Sequence, residues 1–151
     1  MLSRPMKTVL LLTIATFAMT AHARDAVQPD CDLTRLLSAI AAKENQPQDK
    51  VGPHGERSIY SISAAVWHDR MPGWPFYVCT EQSNMAKHCA IMQLNWLANE
   101  CAKAGIHPGV YELGSAWNTG LAGFIKLHSM HVEIQYGRDV ENLYTAQKSQ
   151  S

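Results

Sequence analysis

Residues 33–45, LTRLLSAIAAKEN, decide how this chain is read. Leu33, Leu36, Leu37, Ile40 and Ala41 recur at helical spacing, and Glu44 falls on the same stripe, four residues after Ile40 and seven after Leu37. The spacing predicts an amphipathic helix with Asp32 as its N-cap and a stop near Asn45 and Pro47. A carboxylate on the apolar stripe is expected to turn toward the core. Burying an acid is costly, so one kept there suits a proton-transfer role better than a role in solubility.

Working outward toward the C-terminus, residues 46–55 are rich in Pro, Gly, Asp and His, which is loop chemistry. Residues 58–63, Ser-Ile-Tyr-Ser-Ile-Ser, alternate polar and apolar side chains and predict a half-buried strand. A short helix is expected over 64–69, closed by Met71-Pro72-Gly73. The aromatic patch Trp74-Pro75-Phe76-Tyr77 then leads into a loop from Cys79 to Cys89. A long helical pattern over 85–104 ends at Gly105 and Pro108. Residues 110–125 predict a helix pair broken around Asn118-Thr119-Gly120, and 136–144 a final helix. The expected class is mostly α, formally α+β: a helical domain with a small β-hairpin or loop element flanking a cleft.

Upstream, Arg4 and Lys7 precede an apolar run over 9–19 and the small-x-small motif Ala21-His22-Ala23. This predicts a signal peptide over 1–23, cleavage after Ala23, and a single exported domain over 24–151, periplasmic or secreted and without a membrane anchor. With Arg4 and Lys7 removed, acids outnumber bases by two. No basic run exists to grip a phosphate backbone, so nucleic acid is not an expected partner.

Four cysteines, Cys31, Cys79, Cys89 and Cys101, in an exported chain predict two disulfides, and sequence leaves three pairings open. Cys89 and Cys101 share one expected helix, which separates them by roughly 18 Å. The expected pairing is Cys79 with Cys89 and Cys31 with Cys101. A zinc site on Cys79, Cys89 and His88 fits no compact ligand spacing, and His128 with His131 suits a solvated surface, so no metal and no other cofactor is expected.

The ordered elements resemble the lysozyme-like superfamily, and within it the soluble lytic transglycosylases and related muramidases. The resemblance runs through Ala39-Ile40-Ala41-Ala42-Lys43-Glu44-Asn45, Gly52-Pro53-His54-Gly55-Glu56, Ile59-Tyr60-Ser61-Ile62-Ser63, Val66-Trp67 and Ala116-Trp117-Asn118-Thr119-Gly120. It closes on residues 136–144. Two positions depart from the family pattern: Asn45 stands where Ser usually follows the Glu, and Ser61 where the family has Gln.

The resemblance implies an exported glycosidase acting on peptidoglycan glycan strands, with Glu44 as general acid and then base. It implies substrate contacts from Tyr60, Ser61, Trp117 and Asn118; Tyr136 resembles a family position beside the Glu, but core packing is the role expected of it here. A lytic transglycosylase needs no second carboxylate, because the substrate's acetamido group attacks the anomeric carbon and a 1,6-anhydro sugar results. A hydrolase would need one to work on water, and Glu56 and Asp49 are the candidates. The alternative from another class is a catalytically weak glycan-binding or envelope-interaction protein on the same fold.

Overall fold

The computed structural model describes residues 27–149. The expected signal peptide lies outside them. Six helices follow one another: α1 (Leu33–Glu44), α2 (Ala64–Arg70), α3 (Val78–Glu81), α4 (Ser83–Lys103), α5 (Val110–Ser129) and α6 (Gln135–Lys148). None of the described helices is long and apolar enough to cross a membrane.

α1 begins where expected, with the Asp32 carboxylate accepting the backbone N–H groups of Thr34 and Arg35. It buries Leu36, Leu37, Ala39 and Ile40. It stops because Asn45 is left-handed, at φ 50°, and its N–H turns back to the Ala41 carbonyl at 3.0 Å. α4 runs through the middle of the molecule and buries Ala86, Ala90, Leu94, Leu97 and Ala98 together with Cys89 and Cys101. Gly105 ends it as the sequence predicts, at φ 75° with its N–H on the Ala102 carbonyl.

α5 packs on α4 and α6, and α6 in turn on α1. The α5–α6 crossing is very close, because Gly137 faces Ser115. A Cβ on Gly137 would lie 2.0 Å from Ser115 Oγ and 2.9 Å from the Tyr111 carbonyl oxygen. The Ser115 hydroxyl is fully buried there and makes no hydrogen bond.

The helical class is as expected, but the small β-hairpin is not formed. Among the described residues there is no strand, only two isolated antiparallel bridges, Val51 with Arg57 and Arg57 with Ile62. Residues 58–63, expected as a strand, fold as a tight turn instead. Ser58 and Ser61 take positive φ, 67° and 51°, and the Ser61 N–H closes on the Ser58 carbonyl at 3.1 Å. The Ser58 hydroxyl accepts the Tyr60 N–H, a local bond that competes with a ladder.

The expected loop from Cys79 to Cys89 is also corrected. Cys79 lies in α3, Cys89 in α4, and only Gln82 separates the two helices. Within the preceding patch Phe76 packs on Trp67, ring centroids 6.3 Å apart, while Trp74 and Tyr77 are about half exposed.

All four cysteines are thiols in this structure. Burial pushes Cys89 up to about 12 and Cys31 and Cys101 up to about 11. The Cys79 and Cys89 sulfurs are electrostatic neighbours, since a charge on Cys79 further opposes ionisation of Cys89. Cys31 and Cys101 both feel the Glu112 carboxylate.

Candidate functional site

Glu44 is the last residue of α1, directly before the left-handed Asn45. It is half-buried, which corrects the expectation of a core-facing acid. Its Oε1 accepts a hydrogen bond of 2.5 Å from the Tyr136 hydroxyl, delivered from the first turn of α6. No hydrogen bond among the described residues uses Oε2. Burial, and then the hydrogen bond to Glu44 and its charge, push the Tyr136 hydroxyl well above its ordinary value. Tyr136 therefore stays protonated and acts as a donor at any physiological pH.

A second tie fixes the same junction. Lys43 pairs with Asp139 at 2.5 Å and lies 5.8 Å from the Tyr136 ring centroid. Hydrogen bonds from Lys43, and then from Gln135, hold the Asp139 carboxyl below the usual range. Both partners are about one-third exposed, so the pair orients α6 on α1 more than it stabilises the fold.

The segment after α1 is held by two glutamines. Gln46 donates to the Ser58 carbonyl at 3.0 Å and accepts from the Ser61 hydroxyl at 3.4 Å. Gln48 donates to the Cys79 carbonyl at 2.8 Å, which ties this segment to α3. Within the segment Gly52 and Gly55 form the turn that carries His54 and Glu56. A Cβ on Gly52 would lie 2.4 Å from Glu56 Oε1, so the carboxylate occupies the space a side chain would take. Glu56 Oε2 accepts the His54 N–H at 2.9 Å.

Across from this turn stands α5. Its helix is interrupted at Gly120, with φ 71° and ψ 158°, as the sequence predicts near Asn118-Thr119-Gly120. Trp117 is half-buried and Asn118 exposed just before that break. Glu44, His54, Glu56, Ser61, Trp117 and Asn118 together line a cavity of about 200 Å³. Ser61, Trp117 and Asn118 also line an adjoining chamber of about 340 Å³, which continues along Ile62, Val66 and Gln93. The two volumes form one open groove between the turn and α5, with Glu44 at one end.

No family model, curated protein or solved structure matches this chain.

Of the residues singled out in the sequence, Glu44, Glu56, Ser61, Trp117 and Asn118 meet in this groove. Tyr60 does not: it is 8% exposed, belongs to the hydrophobic core and lines neither part. Asp49 is exposed beside Lys50 and lines neither part. Sequence reasoning missed His54 and Gln93 as groove residues. His54 lies inside the quoted Gly-Pro-His-Gly motif, which signals a turn but not the direction of its side chain. Gln93 sits mid-helix with no local signal. Among the described residues no group of three His, Cys, Asp or Glu side chains is arranged to hold a metal ion.

The chemistry available is that of two carboxyl groups in one cavity: Glu44, held through one oxygen by a tyrosine, and Glu56, held by the His54 backbone N–H. Trp117 offers a face for a sugar ring, and the Asn118 amide offers both a donor and an acceptor.

Proposed function

We propose that this protein is an exported, lysozyme-like peptidoglycan-cleaving enzyme, a lytic transglycosylase acting on the bond between N-acetylmuramic acid and N-acetylglucosamine. The observation that carries the reading is the pairing of Glu44 with Tyr136 at one end of a continuous groove lined by Trp117 and Asn118. Because Tyr136 occupies Oε1, Oε2 is the atom left to serve the substrate.

In this reading Glu44 delivers its proton to the glycosidic oxygen as the bond to the anomeric carbon breaks. The acetamido oxygen of the same sugar bonds to that carbon and carries the charge as a cyclic intermediate. Glu44, now a carboxylate, takes the proton of the sugar's own 6-hydroxyl. That oxygen then displaces the acetamido oxygen, which gives the 1,6-anhydro product without water.

Digestion of purified peptidoglycan with the mature protein, followed by mass analysis of the fragments, tests this. Anhydro-ended fragments are the expected result. Reducing-end fragments would favour a second reading, hydrolysis with Glu56, because that carboxylate lines the same cavity as Glu44. Binding of the polymer with no fragments would leave a glycan-binding envelope protein.

Export carries a prediction of its own. In an oxidising compartment the thiols of Cys79 and Cys89, and of Cys31 and Cys101, are expected to lose their protons and electrons to a disulfide-donating oxidoreductase and to close as two disulfides. Peptide mapping of the non-reduced protein recovered from the periplasm or medium should find these two links. Recovery of four free thiols, or of a Cys31–Cys79 link, would overturn the expectation. Each link is expected to add about 2 kcal/mol of stability, the short Cys79–Cys89 loop less than the long one.

A further inference from the structure

The junction of α1 and α6 holds a cation that the cleavage reading does not use. Lys43 and Glu44 are neighbours in the chain, and both reach one side chain of α6: the Lys43 amine lies 5.8 Å from the Tyr136 ring centroid, and Glu44 accepts the hydroxyl of that ring. A positive charge is thus carried beside the acid of the proposed reaction. Unopposed, it would favour the carboxylate, which is the wrong form for a general acid.

Asp139 opposes it. This residue stands one turn after Tyr136 on α6, and its Oδ2 lies 2.5 Å from the Lys43 amine. Its Oδ1 accepts the Gln135 amide at 2.8 Å, so the carboxylate is gripped from both sides. Among the described residues Lys43 pairs with no other carboxylate. The other groups that share the cavity with Glu44 leave the lysine alone. α5 contributes the uncharged Trp117 and Asn118, and the turn contributes His54 and Glu56, whose carboxylate accepts the His54 N–H. Two opposite charges so close together largely cancel at Glu44, whereas either one alone does not.

We infer that Asp139 is a positioning residue for the acid: it draws the Lys43 amine to the Tyr136 ring and cancels its charge, so that no free cation acts on Glu44. The inference rests on Glu44 being the acid proposed above. It gives a partly exposed ion pair, of little value to the fold, a local electrostatic task.

The two halves of the pair are expected to act in opposite directions. Asp139→Asn keeps the side-chain shape and leaves Lys43 unopposed, so the alkaline limb of peptidoglycan cleavage against pH should move down by about half to one pH unit. Lys43→Met leaves Asp139 unopposed and should move the limb up by a similar amount. The double variant, with neither charge, should return it to the native position. A purely structural tie predicts a loss of rate at every pH with the limb unmoved. Carboxyl-carbon NMR of glutamate-labelled protein, with the Glu44 signal assigned by its absence from Glu44→Gln, needs no turnover. The titration of that signal should move down in Asp139→Asn, up in Lys43→Met and back in the double variant.

Shifts of the same sign in both single variants, or a Glu44 signal that titrates alike in native protein and in every folded variant, overturn the inference. Opposed shifts of that signal in a chain that cuts no peptidoglycan keep the effect of the pair on Glu44 and remove the enzyme reading. Cleavage with the limb and the signal both unmoved does the reverse.

Discussion

Glu44→Gln is expected to lower the release of fragments from peptidoglycan by about 10²- to 10⁴-fold, the contribution usual for a positioned general acid. The substitution keeps the shape of the side chain and an acceptor oxygen for the Tyr136 hydroxyl, so the groove should still bind glycan and the melting temperature should move little. What is lost is the proton at Oε2. Tyr136→Phe should act more mildly, about tenfold, because the acid remains but its second oxygen is no longer anchored and the carboxyl can leave the productive rotamer. Initial rates from labelled peptidoglycan, measured beside the glycan affinity of each variant, check both expectations. A Glu44→Gln protein as fast as the native one would move the chemistry to Glu56, the other carboxylate of the same cavity.

Gly137→Ala is expected to cause the largest loss of stability of any single added methyl group. Alanine suits a helix better than glycine by about 1 kcal/mol. The steric term runs the other way and wins, since the new Cβ meets Ser115 Oγ at 2.0 Å and main-chain oxygen of Tyr111 at 2.9 Å. Forcing a carbon into a packed crossing costs typically about 1–3 kcal/mol, and here the obstacle includes backbone that cannot swing aside. The net expectation is about 2 kcal/mol, seen as a melting temperature lower by about 8 °C. Ser115→Ala provides the internal control. It removes a buried hydroxyl that has no hydrogen bond, so on its own it should be neutral or slightly stabilising. Combined with Gly137→Ala it should return part of the loss. A Gly137→Ala protein with native stability would mean that α5 and α6 separate more easily than their crossing suggests.

Much of the helical frame was legible because its signals are local. The apolar stripe of α1, the Asp32 cap, the stop at Gly105 and the break at Gly120 each depend on residues within a turn or two of one another. The turn at 58–63 was not legible for an instructive reason. Every second residue is buried, Ser58, Tyr60 and Ile62, although Ile59 and Tyr60 are adjacent apolar residues and Ser58 is polar. A period of two in burial does not require a strand, however, and two serines at positive φ achieve it with a turn. The same blindness explains Tyr60. An aromatic beside the groove motif is as consistent with core as with cleft, and its neighbours in space decide for core.

The groove was legible only at its hub. Glu44, Ser61, Trp117 and Asn118 carry recognisable local context, whereas Gln46, Gln48 and Gln93 work through partners on other elements. A glutamine gives no sign in sequence of which carbonyl or guanidinium it will meet. Glu44 is the last helical residue of α1, where the stripe that buries Leu36, Leu37 and Ile40 runs out, and it is only half-buried.

The hydrogen bond between Tyr136 and Glu44 joins residues 92 positions apart. A ribosome releases Glu44 long before Tyr136 exists, and closing so wide a loop comes late in folding because its entropy must be met before the contact returns anything. A chain interrupted in synthesis before α6 thus holds Glu44 without the tyrosine that positions it. If Glu44 is the acid proposed above, its aim is therefore a property of the finished chain and not of the helix that carries it.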